Sequence, residues 1–353
     1  MGIKKRYWNE YMKEIVGDDY FYERSCIRQT FFPGSEATFL KIMKEELGKN
    51  IVDNPNQHTC TGIGYYSDVV PFNTTMTICA RILSLMKESG FQHLVTSCVT
   101  SFGLFNEVVE TWKQFPEELE KTRNYLFKAT GREFNLPANI VHPSDIIYKY
   151  RKELGQKMKY RLVNKETGNP LRAVEHIGCH YSKIFSEQSI GGTEFPHVLA
   201  GMIEAWGGEV IDYPERRHCC GFGFRQYLIM ANRGYSVANS RKKFESMQPY
   251  KPDFILTNCP GCAMFMDKWQ YAIAEMEGVT YDDKGMGIPV LTYEELTGIL
   301  LGYNPWDVGL QLHQVQSESL LKKIGIPYDP QNKYIGVSGK FLGEPEKPDF
   351  LRV

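Results

Sequence analysis

The amino-acid sequence predicts an α/β protein made of two tandem, pseudo-repeated units with mainly parallel sheets, plus an extended C-terminal arm. Short apolar runs typical of buried strands alternate with longer segments that carry apolar residues at helical spacing, and this alternation favours parallel sheets covered by helices. A cysteine–glycine pattern also occurs twice, which indicates an internal repeat. The expected divisions are a first unit at 1–155, a linker at 156–170, a second unit at 171–303 and an arm at 304–353.

The first unit contains apolar runs for strands, separated by helical patterns. Gly90 follows one such helical pattern, and glycine often closes a helix because it adopts the left-handed conformation without strain. The expected elements are a helix from Ser35 to about Leu47, a strand at Asn50–Asp53, a helix from Asn73 to Gly90, a strand at His93–Thr96, and a strand at Ile140–His142 before a helix near Ser144.

The second unit repeats this alternation. The double glycine Gly207-Gly208 is expected to end a helix, and cysteines follow two of the expected strands directly. The expected elements are a strand at 173–177, a helix at 196–206, a strand at 209–213, a helix at about 225–246, a strand at 253–257, and a strand at 289–291 before a helix near Thr292.

Two stretches of the sequence lack the alternating pattern. Residues 156–170 are mostly polar and end in Thr-Gly-Asn-Pro, a composition typical of a linker. Residues after Tyr303 contain many Pro and Gly and one helix-like stretch, near 317–324. Two interpretations of this arm stay open: it lies on this or another subunit, or it is a disordered end.

The repeated pattern places cysteines at matching positions of the two units. Cys60–Gly64 aligns with Cys219–Gly223, and Cys98–Ser101 aligns with Cys259–Cys262. These cysteines follow expected strands, and parallel sheets bind their ligands beyond the strand ends. The second unit has five of them and the first unit three: Cys179, Cys219, Cys220, Cys259 and Cys262, against Cys26, Cys60 and Cys98.

The five cysteines of the second unit are typical of an iron–sulfur site. A tetrahedral zinc site uses four ligands and would leave one thiolate over, and adjacent cysteines such as Cys219 and Cys220 rarely form a disulfide with each other. Soft thiolates at this density favour an iron–sulfur cluster. Gly221 and Gly223 let the backbone approach a cluster, and a helix that begins at Cys259 would lower the pKa of nearby thiols.

Composition argues against several classes of function. The chain has 353 residues, 42% of them hydrophobic, and a formal net charge of −1, so a nucleic-acid partner is not indicated. Nine cysteines in a chain of this length do not fit a small secreted disulfide scaffold. The sequence lacks both the apolar run of a signal peptide and the roughly 20 apolar residues that span a bilayer. We expect a cytoplasmic protein with reduced thiols and no direct membrane insertion.

The order Cys, Cys-Cys-Gly, Cys-x-x-Cys with long spacers resembles the cysteine-rich domain, or CCG domain, of the heterodisulfide reductase B-type subunits. The resemblance covers about residues 19–303. It implies thiol/disulfide redox chemistry, with electrons supplied by heterodisulfide reductase-like A and C type subunits. It also implies a noncubane [4Fe-4S] cluster bound by Cys179, Cys219, Cys220, Cys259 and Cys262.

The first unit departs from the family pattern. Thr61 stands in the place of the second cysteine of the pair, and Ser101 replaces the last cysteine. The three remaining thiols of Cys26, Cys60 and Cys98 could hold a cluster with one open iron, hold a smaller cluster with further ligands, or be free redox thiols. This departure resembles the B-type subunits of heterodisulfide reductase-like complexes in sulfur-oxidising bacteria. That narrower resemblance implies a role in sulfur metabolism and a thiol or disulfide substrate such as carrier-bound lipoate.

Polar residues beside the cysteines are candidates for catalysis and substrate binding. His180 and His218 flank ligand cysteines and could donate protons to a leaving thiolate or hydrogen-bond a sulfide; the alternative is a solvated or orienting imidazole. A group of basic residues could hold an anionic thiol substrate, with solvated loop positions as the alternative: Lys183, Arg216, Arg217 and Arg225.

The sequence supports three hypotheses for function. The first is a thiol/disulfide oxidoreductase subunit that is active only with its partner subunits. The second is a non-catalytic iron–sulfur electron-transfer subunit of a membrane- or quinone-linked dehydrogenase. The third is a structural zinc protein, which metal analysis would separate from the other two.

Overall fold

Two parallel sheets form the framework of the protein. The computed structural model describes residues 17–57, 60–184, 189–193, 196–222, 233–282 and 287–331. The strands are β1 (Asp19–Glu23), β2 (Asn50–Asp53), β3 (His93–Thr96), β4 (Asn139–Val141), β5 (Arg172–His176), β6 (Glu209–Val210), β7 (Phe254–Thr257) and β8 (Val290–Thr292). Their order is β2-β1-β3-β4 in the first sheet and β6-β5-β7-β8 in the second. Each described strand pair is parallel, so the predicted fold class of two pseudo-repeated α/β units is confirmed.

Helices surround both sheets. Those of the first unit are α1 (Cys26–Phe31), α2 (Pro33–Lys41), α3 (Ile63–Tyr66), α4 (Phe72–Glu88), α5 (Val99–Gln114), α6 (Pro116–Thr130), α7 (Pro143–Lys149) and α8 (Arg151–Lys157). The later ones are α9 (Ala200–Ala205), α10 (Arg233–Met247), α11 (Pro260–Glu277), α12 (Tyr293–Leu301), α13 (Pro305–Val308) and α14 (Glu318–Ile324). Among the helices that the structure describes, none combines the length and apolar character needed to cross a membrane.

The shared strand order creates the same crevice in both units. In each sheet the chain passes from a central strand to one edge and then crosses to the other side of the central strand. Loops that leave the two central strands therefore diverge, and a crevice opens beyond their carboxyl ends. In the first unit this crevice lies beyond β1 and β3, and in the second beyond β5 and β7. The strands that lead to it are buried: β7 is buried along its whole length.

Predicted and observed elements agree in type more closely than in length. β2 and β3 have the predicted bounds, whereas β1 was not predicted. The helix expected at 35–47 is α2 followed by a π-helical turn at Ile42–Glu46. The strand expected at 209–213 is only β6, an edge strand with one neighbour in the described sheet. The helices expected at 196–206 and about 225–246 are observed as α9 and α10, and residues 223–232 lie outside the described part of the chain.

The segment that joins the sheets and the described part of the arm both pack on their own chain. Leu162 is fully buried, and its backbone N–H donates to the carbonyl of Trp206. Further on, α13 contacts α2, and a Cβ atom on Gly34 would lie 2.2 Å from the carbonyl oxygen of Val308. The arm therefore continues the fold as far as Gln331, and residues 332–353 lie outside the described part of the chain.

A buried ion pair joins the two units. Arg28 of α1 lies with Nη1 2.7 Å from Oε1 of Glu294 in α12, and both side chains are at most 1% exposed. Arg28 also donates to the carbonyl of Ser97 and to the hydroxyl of Ser35. Because a buried charge without its partner is costly, this pair fixes how α1 and α12 meet.

Candidate metal centre

The five cysteines of the second unit converge beyond the carboxyl ends of β5, β6 and β7. Cys179 follows β5, and Cys219 and Cys220 lie in the loop that follows β6. Cys259 is the N-cap of α11 and accepts a hydrogen bond from the backbone N–H of Cys262 at 3.3 Å. Each thiol contacts the next in the order Cys179, Cys219, Cys220, Cys262 and Cys259. The Sγ atoms of Cys220 and Cys262 are 3.2 Å apart, and all five side chains are free thiols.

Hydrogen bonds within this group favour the thiolate form at two positions. The neighbouring Cys179 thiol lowers the pKa of Cys219, which also accepts from the backbone N–H of Gly221 at 3.4 Å. The pKa of Cys259 is lowered by its contact with Cys262 and by backbone N–H groups of the first turn of α11. Thiolates are the form that binds metal, so the local geometry prepares the group for metal binding.

A buried lysine lies beneath the loop that carries Cys219 and Cys220. Lys243 of α10 is fully buried, and its ammonium group donates to the carbonyl oxygens of Glu215, Arg216 and His218 at 2.8, 3.0 and 3.2 Å. Burial lowers the pKa of Lys243 to about 7, while the nearby thiolates act in the opposite direction. The ammonium group therefore orders the cysteine loop and offsets part of its negative charge.

His176, the last residue of β5, belongs to this site and was not predicted from the sequence. It is 2% exposed, and neither ring nitrogen has a hydrogen-bond partner among the described residues. One of its nitrogens and the Sγ atoms of Cys220 and Cys262 all lie within 4.8 Å of one another. Buried polar groups are nearly always hydrogen-bonded, so an unpartnered imidazole beside two thiols indicates that something else fills the site. Its place at a strand end, three residues before Cys179, was the available sequence signal.

The two histidines predicted from the sequence occupy different surroundings. Nδ1 of His180 is hydrogen-bonded to the Thr100 hydroxyl at 3.0 Å, and the His180 ring centroid lies 4.5 Å from that of Tyr66. Because Thr100 and Tyr66 belong to the first unit, His180 connects the two units. Burial lowers the pKa of His180 to about 4, which makes it neutral at neutral pH. His218 lies beside the cysteines, with Nε2 2.8 Å from Oδ1 of Asn239.

The predicted basic residues are mostly engaged in holding the fold. Arg216 pairs with the buried Glu175 of β5, and its Nε donates to that carboxylate at 2.9 Å. Arg217 donates to the carbonyl oxygen of Thr193, and Lys183 donates to the carbonyl oxygen of Arg217 at 3.3 Å. All three line a narrow cleft together with four of the five cysteines. Arg225 lies outside the described residues.

The three cysteines of the first unit also converge. Cys26 begins α1, Cys98 is the N-cap of α5, and Cys60 is hydrogen-bonded to Cys26. They line a small pocket that Phe222, Cys259 and Gly261 of the second unit close from the other side. Cys26 and Cys60 are exposed, in contrast to the buried Cys220, Cys259 and Cys262.

The donor set of the second unit fits an iron–sulfur cluster better than a zinc ion. Five thiols and an unpartnered imidazole exceed the four ligands of a structural zinc site. Their side chains come from three separate loops, so the fold gathers them at one point without any pairing as a disulfide. Cys179, Cys219, Cys220, Cys259 and Cys262 are the residues that could hold the cluster.

Comparison with sequence families identifies part of the chain. Residues 173–267 match the family described as the cysteine-rich domain, CCG. The matched segment begins in β5 and ends in α11. It therefore contains all five cysteines of the second unit.

Characterised relatives resemble nearly the whole chain. The B subunit of a ferredoxin:CoB-CoM heterodisulfide reductase from Methanosarcina acetivorans is 28% identical over 313 residues, covering 86% of this chain and 95% of the relative. The protein of the same name from Methanosarcina mazei is 28% identical over 300 residues, covering 85% and 94%. An 8-methylmenaquinol:fumarate reductase membrane anchor subunit of Wolinella succinogenes is 21% identical over 263 residues, covering 74% and 85%.

A solved structure shares the fold. The crystal structure of a hypothetical protein from Helicobacter pylori superimposes with a TM-score of 0.61 and 13% sequence identity. The superposition covers 88% of this chain and 57% of the other. At this identity the likeness supports the α/β architecture alone.

Proposed function

We propose, on the premise that the chain belongs to the family of heterodisulfide reductase B-type subunits with its cysteine-rich domain, that it acts in a heterodisulfide reductase-like complex. The reaction is the two-electron interconversion of a disulfide and two thiols, and the cofactor is a noncubane [4Fe-4S] cluster in the second unit. The setting is cytoplasmic sulfur metabolism, with A and C type subunits as partners and carrier-bound lipoate as a candidate substrate.

The convergence of five thiols in one group is the observation that carries this proposal. Cys179 is linked through Cys219, Cys220 and Cys262 to Cys259 by successive side-chain contacts. The packing of small apolar side chains in a core does not by itself require five sulfur atoms to be in contact. The family match over 173–267 and the redox names of the relatives agree with an iron–sulfur redox subunit.

The residues around the thiols would divide the remaining tasks. A cluster held by the five cysteines would supply the electrons for reduction of the substrate S–S bond. His176 would donate a ring N–H to a sulfur atom of the site, because it has no other described partner. His218 lines the cleft and, held by Asn239, could pass a proton to a departing thiolate. Lys243 would keep the Cys219-Cys220 loop in place.

One relative favours a second candidate function. The chain resembles a subunit of an 8-methylmenaquinol:fumarate reductase, a name that belongs to a quinol-linked electron-transfer system. In that case the protein would pass electrons between partners without touching a disulfide. The two functions differ in whether a disulfide or thiol contacts the cluster.

The visible absorption spectrum of anaerobically prepared protein tests the proposal. We expect Cys220→Ser to lose the cluster spectrum, and Cys79→Ser to keep it, since Cys79 is a fully buried residue of α4 outside the site. Addition of a disulfide or thiol should then shift the spectrum of the unaltered protein. An unchanged spectrum in Cys220→Ser would contradict the cluster assignment, and an unchanged spectrum on thiol addition would favour the electron-transfer function.

A further inference from the structure

Two units with the same topology allow their sites to be compared position by position. The sequence repeat aligns Thr61 with Cys220 and Ser101 with Cys262. Glu23 ends β1 three residues before Cys26, as His176 ends β5 three residues before Cys179. The buried group of His176, Cys220 and Cys262 in the second unit therefore has a counterpart for each member in the first unit.

The counterparts in the first unit are hydrogen-bonded to one another. The hydroxyl oxygens of Thr61 and Ser101 are 2.5 Å apart, and Ser101 donates to Oε1 of Glu23 at 3.2 Å. All three side chains are at most 5% exposed. Two hydroxyl groups that bond to each other stand here in the places of two thiols, and Oε2 of Glu23, like the ring nitrogens of His176, has no partner among the described residues. The first unit therefore does not fit the five-thiolate cluster.

Two of the three thiols of the first unit, those of Cys26 and Cys60, are exposed. These two thiols are hydrogen-bonded to each other. They line the pocket at the boundary between the units. A ligand in this pocket would contact Phe222 on the far side. The Phe222 ring packs closely against Gly261, and a Cβ atom on Gly261 would lie 2.6 Å from that ring. The pocket also reaches Cys259, a member of the five-thiol group.

We propose that Cys26 and Cys60 form a redox-active dithiol that reacts with the disulfide substrate. This inference rests on the proposed function and assigns the substrate to the pocket between the units. The substrate class is a disulfide RS–SR′ with one small or flexible arm that can reach the Cys26 and Cys60 thiols. The observations that support it are the paired exposed thiols, the pocket that they line, and the hydroxyl groups of Thr61 and Ser101 in the places of two thiols.

The reaction balances as two successive thiol–disulfide exchanges. One thiolate of the pair attacks a substrate sulfur, the S–S bond breaks, and R′S⁻ leaves and takes up a proton. The second thiolate attacks the mixed disulfide and releases RS⁻, which also takes up a proton. The dithiol is thereby oxidised to a Cys26–Cys60 disulfide and the substrate is reduced to two thiols. Two electrons from the partner iron–sulfur subunit, passed on by the second-unit cluster that the proposed function requires, would restore the dithiol together with two protons.

The test is thiol release from bis(2-hydroxyethyl) disulfide by the full chain, purified anaerobically and freed of added reductant. We expect two thiols released per chain and a Cys26–Cys60 cross-linked peptide in the alkylated digest. Cys26→Ser and Cys60→Ser should each release one thiol and retain the mixed disulfide on the remaining cysteine. Cys79→Ser is the matched control and should release two thiols, because Cys79 is buried in the core.

Iron content separates this inference from the proposed function. Iron per chain in Cys26→Ser and Cys60→Ser should equal that of the unaltered protein, because the dithiol holds no cluster. A loss of iron in these variants, or the absence of the cross-linked peptide, would overturn the dithiol. A loss of iron only in variants of the second-unit cysteines would support a dithiol that stands apart from the cluster.

Discussion

At the scale of single residues, His176 shows what sequence patterns hide. The five cysteines of the second unit stood out in the sequence because a Cys-Cys-Gly motif and a Cys-x-x-Cys motif with long spacers are unusual. A histidine at the end of a buried strand is unremarkable in a sequence. Only the folded chain shows that both nitrogens of His176 lack a partner among the described residues and that two thiols lie beside it.

The same limit applies to the first unit. The replacement of cysteines by Thr61 and Ser101 was visible in the sequence, but their closure onto Glu23 was not. Glu23 belongs to β1, a strand that was not predicted from the sequence. A carboxyl group brought in from a distant segment can be assigned to a site only when the fold is known.

Removal of the His176 imidazole should change the electronic properties of the site and leave its metal content intact. Hydrogen bonds from N–H groups to cluster sulfur stabilise the reduced state. We therefore expect His176→Leu to lower the midpoint potential, measured by a redox titration followed by electron paramagnetic resonance. His176→Gln keeps an N–H donor and should lie closer to the unaltered protein. Equal potentials in all three proteins would show that His176 does not reach the cluster.

Lys243 should matter more for stability than its neighbour Lys242. Lys243→Met leaves three backbone carbonyl groups without this donor and removes a buried charge near the thiols, so we expect a loss of about 2–4 kcal/mol in unfolding free energy. Lys242 pairs with Glu215 at the surface and is 58% exposed, and Lys242→Met should cost less than about 1 kcal/mol. Urea unfolding measures both values, and equal losses would contradict the role given to Lys243.

At the scale of elements, the strand predictions were most accurate where a short buried strand leads directly into a cysteine. Short buried strands that lead directly into cysteines, such as β3 and β7, were found because apolar runs and functional residues adjoin. β6 was predicted too long because an edge strand pairs on one side only. No element was predicted for residues 99–130, where the structure has α5 and α6, although Pro116 and Gly131 mark the two ends of α6.

The loop that carries Cys219 and Cys220 depends on a glycine for two separate reasons. Gly221 has φ +99°, and a Cβ there would lie 2.4 Å from the carbonyl oxygen of Ser236. Gly278, at the end of α11, has φ +67° and open space around it. Gly278→Ala should cost about 1–2 kcal/mol from backbone strain alone, whereas Gly221→Ala adds a steric clash and should cost about 3 kcal/mol or more. Thermal unfolding of both variants checks this order, and equal losses would contradict it.

At the scale of the whole molecule, the arm is tied to the second unit by a buried histidine. His313 lies with Nε2 3.0 Å from Oε1 of Glu295 and Nδ1 3.9 Å from Oδ2 of Asp267, and Phe32 of the first unit packs against its ring. The two carboxylates outweigh burial and raise the pKa of His313 from 6.5 to about 9. This tie could not be predicted from sequence patterns, because its three polar members lie on separate segments.

The raised pKa of His313 predicts a loss of stability at alkaline pH. A group whose pKa is higher in the folded state stabilises the fold fully below its unfolded pKa, near 6.5, and this contribution disappears as pH rises through about 9. We expect the loss to be on the order of 3 kcal/mol. Urea unfolding between pH 6 and 10 measures it, and the His313→Gln variant should lack this part of the pH dependence. An equal pH dependence of the unfolding free energy in both proteins would contradict an ionised His313 between the two carboxylates.

The proposed function requires one cluster in the second unit, and the dithiol requires that the first unit hold none. Iron and acid-labile sulfide per chain, measured on anaerobically purified protein, test this claim most directly. We predict about four iron and about four sulfide per chain, the content of one [4Fe-4S] cluster. About eight of each would place a second cluster on the three thiols of the first unit. Zinc in place of iron would contradict the redox function itself.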